Sequence, residues 1–111
     1  MSISADRAAE RVAPAAGSSG KFTFTSSASA FQTIRTATVG VKLAPVYISV
    51  KVTADCHLVF GDSTVVNPDN SSPLFQSGDG WQDFVLMPEM NGFKVKGDAA
   101  GGDLYWFVSS R

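Results

Sequence analysis

Few residues of this chain could carry acid–base, nucleophilic or metal chemistry. His57 is the one histidine and Cys56 the one cysteine among 111 residues, and they are neighbours. On an extended strand adjacent side chains leave by opposite faces, so the two do not form a nucleophile–base pair. Asp55 shares the face of His57, but two side chains are too few for a zinc ligand set. The spacing predicts a strand histidine that is exposed or hydrogen-bonded, beside a small buried cysteine with no internal disulfide.

The aspartates at positions 62, 69, 79, 98 and 103 fall among Gly, Ser, Asn and Pro. None has the spacing of a calcium loop, and they read as turn formers. The glycine-containing stretches lead into neither a lysine nor a helix start, so none is a phosphate loop. Asp83 and Glu89 have nothing around them to mark a glycosidase pair. No nucleophile–base constellation emerges, and the chain reads as non-enzymatic, with no cofactor and no metal site.

The aromatic residues carry more information. Trp81 stands in the turn-rich stretch SGDGWQDF, and Tyr105, Trp106 and Phe107 are consecutive. On a strand Trp106 faces one way, Tyr105 and Phe107 the other, so both faces of that strand are apolar. Three roles fit: plain core, a subunit interface, where Tyr and Trp are enriched, or a stacking platform for a sugar.

These residues need elements to hold them, and the pattern supplies strands. In PVYISVKV, Val46, Ile48, Val50 and Val52 alternate with Tyr47, Ser49 and Lys51. Period two with β-branched residues on one side marks a half-buried strand. A second run, Cys56 to Phe60, ends at the turn cluster Gly61-Asp62-Ser63. Upstream, KFTFT places Phe22 and Phe24 on one face, and FQTIRTATVGVKL (31–43) reads as a long strand or a hairpin bent at Gly40. Downstream, Thr64 to Val66 and Pro73 to Phe75 read as short edge strands, with DFVLM, FKVK and LYWFVSS as better ones. Asn91-Gly92 predicts a tight positive-φ reversal between two of them, and GDAAGGD predicts a second hairpin. Strands at this spacing with turn signals between them predict an all-β fold. The expected form is a single antiparallel β-sandwich, jelly-roll-like, over residues 21–111. Residues 1–20, rich in Ala and Ser, form an N-terminal arm, either a plain flexible tail or one ordered on a partner.

Composition narrows the partners. A net charge of −1 gives no electrostatic case for nucleic acid. A charged fraction of 17 % is low for a solvated monomer and points to assembly. No secretory signal and no apolar run of membrane-spanning length stands out, so synthesis in a cytoplasm is expected.

Read in order, LVFGDSTVV, SPLFQSGDGWQDFVLM, FKVKGD and AGGDLYWFVSS resemble a group of small bacteriophage virion accessory proteins. The resemblance runs from about Thr53 to Ser109 and rests on strand and turn spacing. It implies a β-sandwich protein of the capsid decoration or cement type, without catalytic groups, trimeric and bound to the major capsid protein on the virion surface. Many weak contacts would then act together. On that reading Tyr105, Trp106 and Phe107 lie at or under the subunit interface, and Arg7 and Arg11 of the arm touch the shell. The rival reading is a carbohydrate- or receptor-binding module of a tail or spike, with Trp81 in the ligand loop.

Overall fold

The structure, a computed structural model, describes residues 19–36 and 43–109. The arm with Arg7 and Arg11, apart from residues 19–20, and the Gly40 bend lie outside the described residues. Eight strands and one 3-10 turn follow in order: β1 (Ser19–Phe24), β2 (Gln32–Thr33), β3 (Val46–Val52), β4 (Cys56–Gly61), β5 (Leu74–Phe75), the turn Ser77–Asp79, β6 (Gln82–Leu86), β7 (Gly92–Gly97) and β8 (Gly102–Ser109).

They form two antiparallel four-stranded sheets, one in the order β1-β8-β3-β6 and the other in the order β2-β7-β4-β5. The pairs β1–β8, β3–β6, β2–β7 and β4–β5 are the rungs of one long hairpin with its tip between β4 and β5. Rolling that hairpin sends alternate rungs to opposite sheets and creates the new pairings β3–β8 and β4–β7. The result is the jelly-roll form of the β-sandwich.

The expected alternation fills the core. From the first sheet come Phe24, Ile48, Val50, Val52, Leu86 and Leu104; from the second, Cys56, Leu58, Phe75, Phe93 and Val95. Phe22 meets Phe93 edge-on at 6.1 Å between ring centroids, which ties the layers together.

Five local expectations are corrected. The sheet begins at Ser19, so residues 19–20 belong to β1 and not to the arm. Thr64 to Val66 is loop, and β2 is only two residues long. The two downstream reversals are not hairpins, because β6 and β8 lie in one sheet and β7 in the other. Gly92 has no positive φ either; Gly80, at 68°, is the one glycine of that kind among the described residues. Gly92 answers a different need. A Cβ there would sit 2.2 Å from the Gln32 carbonyl oxygen and 2.3 Å from the Phe31 ring.

Candidate functional site

The two outer faces of the sandwich are treated differently. That of the second sheet is covered from within by the loop 62–73. Lys94 reaches up to donate to the Val65 carbonyl (2.7 Å) and Asn67 Oδ1 (3.0 Å), and Lys96 donates to Asn70 Oδ1 (3.1 Å). Val65 presses on Gly61, where a Cβ would lie 2.9 Å from the Val65 Cβ. Asp62 and Asp69 shape the loop by accepting from the backbone N–H two residues on, at Thr64 (2.8 Å) and Ser71 (2.9 Å).

His57 is the fourth fastening. It is buried, with Nδ1 2.9 Å from the Ser72 carbonyl oxygen and Nε2 2.9 Å from Asp98 Oδ1. Both neighbours are acceptors, so both ring nitrogens are best served as N–H donors. The Ser72 carbonyl first, then Asp98, hold the imidazole pKa above its ordinary value, against burial and the nearby Lys96. Asp55, its sequence neighbour, instead accepts the Ser77 N–H at 2.9 Å. The histidine is thus a structural clamp, and Cys56 faces the core behind it.

The outer face of the first sheet has no such cover among the described residues. Its register sets Lys21 beside Tyr105 and Tyr105 beside Lys51. Continued by one residue, the Val50–Gln82 pairing brings Trp81 beside Lys51. The row therefore runs Lys21, Tyr105, Lys51, Trp81 across four chain segments. Trp81 is 45 % exposed and Tyr105 36 %. Lys21 Nζ lies 5.8 Å from the Tyr105 ring centroid and 3.9 Å from Asp103 Oδ2. Trp81 meets the Phe107 ring at 5.3 Å, reaching across β3 to do so. Ser49, between Phe107 and Asp83 in the register, is buried and donates its hydroxyl to Asp83. Behind the row a shallow hollow of about 460 Å³ is lined by Ser19, Gly20, Lys21, Trp81, Tyr105 and Trp106, among others.

The three consecutive aromatics thus have three separate fates. Phe107 is buried under Trp81, and Trp106 is half-buried on the bare backbone of Gly20, where a Cβ would come within 2.6 Å of the indole. Of the three, Tyr105 alone is exposed. Trp81, which the sequence put in a separate loop, belongs with them. The two lysines carried no distinguishing signal in one dimension, because strand order decides what stands beside Tyr105. Among the described residues no group of three His, Cys, Asp or Glu could hold a metal ion. No family model, curated protein or solved structure matches the chain.

Proposed function

We propose that this protein is a non-enzymatic structural component of a bacteriophage virion, a decoration protein that seats the outer face of its first sheet on the capsid shell. One observation carries the reading: of two equivalent outer faces, one is sealed by the chain's own loop and the other presents Trp81 and Tyr105 with Lys51 between them and Lys21 beyond Tyr105. Aromatic residues supply large contact area at small entropic cost, and flanking cations orient an approach to an acidic protein surface. The resemblance in strand and turn spacing supports the phage assignment, and jelly rolls occur in viral capsids. The fold alone decides no function.

Capsids assembled without this protein, mixed with it and sedimented, should carry the wild type down. The variant Trp81→Ala/Tyr105→Ala should stay in the supernatant while keeping its melting temperature within a few degrees. Failure of the wild type to travel with the shells would remove the decoration reading. The same face supports a second reading. An exposed indole beside polar side chains is also a stacking surface for a sugar ring, and jelly rolls occur in lectins. Glycan-array binding that disappears in Trp81→Ala would transfer the assignment to a receptor-binding module.

A further inference from the structure

Within the loop over the second sheet, the turn at residues 69–72 is held together by its own bonds. Asp69 Oδ1 accepts from the Ser71 N–H at 2.9 Å and from the Ser71 hydroxyl at 2.6 Å. The Asp69 carbonyl accepts the Ser72 N–H at 3.0 Å, and the Ser72 hydroxyl oxygen accepts the Asp69 N–H at 3.0 Å. Among the described residues two side chains join this turn to the sheet: His57 through the Ser72 carbonyl, and Lys96 through Asn70 Oδ1. Pro73, next in the chain, is anchored separately, its carbonyl accepting the Leu58 N–H at 3.2 Å.

The acceptor on the other side of His57 belongs to the body of the fold. Asp98 donates its own N–H to the Asp55 carbonyl at 2.9 Å and presents its carboxylate to Nε2 at 2.9 Å. An imidazolium donates to both acceptors, whereas a neutral imidazole has a single N–H to give. The carboxylate is the stronger acceptor, so the proton that stays is the one on Nε2. Nδ1 then turns a lone pair on the Ser72 carbonyl oxygen, two acceptors 2.9 Å apart with no proton between them. The surrounding charges act in both directions. Asp98 favours the cation, and Lys96, the register partner of His57 on β7, opposes it. Lys94, two residues earlier on β7, is engaged by Val65 and Asn67, Asp55 by the Ser77 N–H, and Asp69 by the donors of its own turn.

We propose that residues 69–72 form a proton-controlled latch, docked on the second sheet while His57 carries both ring protons and released at the Ser72 carbonyl when Nδ1 gives up its own. The release is local. The turn keeps its internal bonds, Pro73 holds one end, and the exposed Lys96–Asn70 bond is a modest tether against two facing acceptors. The docked form binds one proton more than the released form. The latch is therefore closed at low pH and opens as pH rises through the raised pKa of His57. It works on the second sheet, whereas the Trp81–Tyr105 row lies on the first, so it is independent of what that row binds.

The test is nitrogen-15 NMR on the full chain, in which His57 is the one histidine and its ring signals need no sorting. Both ring nitrogens should carry protons at about pH 5.5, and Nε2 alone at about pH 9. Across the same titration the amide order parameters of residues 69–72 should fall from about 0.85, the rigid range, to below about 0.6, while those of β4 and β7 stay rigid. His57→Gln should abolish that pH dependence, and Asp98→Asn should move the release to lower pH. A proton kept on Nδ1 in place of Nε2 at high pH, order parameters in the turn that stay constant while His57 titrates, or loosening that takes β4 and β7 along with it would each overturn the proposal. Should His57→Gln fail to fold, the tautomer and the order parameters of the wild type decide alone.

Discussion

His57 Nε2 and Asp98 Oδ1 lie 2.9 Å apart, although 41 residues separate them in sequence. Together with the Ser72 carbonyl, that contact clamps the loop over the second sheet to the body of the fold. Two acceptors on one imidazole favour its cation, and the consequence is a dependence of stability on pH. The folded pKa of His57 lies above the unfolded value of about 6.5. The clamp then contributes in full below about pH 6, and its contribution is lost as pH rises through the raised folded value. Urea midpoints measured from pH 6 to about pH 9 should therefore fall in the wild type and stay flatter in His57→Gln. Equal slopes in both proteins would show that the pair does not couple.

Arg35 closes one end of the sandwich by donating from one guanidinium to three backbone carbonyls: Met90 through Nε (3.0 Å), Met87 through Nη2 (2.8 Å) and Ala44 through Nη1. A planar fork can serve three acceptors from one position, and an ammonium cannot hold that geometry. Arg35→Ala should cost about 2 kcal/mol in denaturant unfolding, and Arg35→Lys should recover only part of it. Full rescue by lysine would mean that charge, rather than the fork, matters.

Gly92→Ala should destabilise the fold by on the order of 2 kcal/mol, because the new methyl meets a strand carbonyl that cannot step aside. Gly78→Ala is the control: no atom lies within 4 Å of a Cβ there and its φ is ordinary, so the change should be close to neutral. Thermal unfolding of the two variants side by side checks the contrast.

Cys56 is fully buried, and burial, with some help from the Asp55 carboxylate, pushes its thiol up to about 12. The thiolate is the reactive form, so the native protein should resist thiol reagents at neutral pH and label fully once unfolded. Labelling rates that track denaturant concentration would confirm this. Rapid labelling of the folded chain would contradict the buried position.

The alternation in β3, the paired phenylalanines of β1 and the apolar Cys56 follow from side-chain periodicity alone. A strand that must bury one face announces which residues it buries. The choice of all-β architecture rested on the same local signal, and it held. Strand partnership was another matter. The turn residues after β6 and β7 mark where the chain reverses, but not that each reversal carries it to the opposite sheet. That is settled by rolling the long hairpin, which alone lets every apolar face meet another. The candidate face was half legible for the same reason. Trp81 and Tyr105 stood out by type, whereas Lys21, Lys51 and the Asp98 partner of His57 acquired their neighbours only through pairings 41 to 84 residues apart in the chain. Short-range patterns fix what a segment wants to bury; which distant segment satisfies it is decided by the packing of the whole.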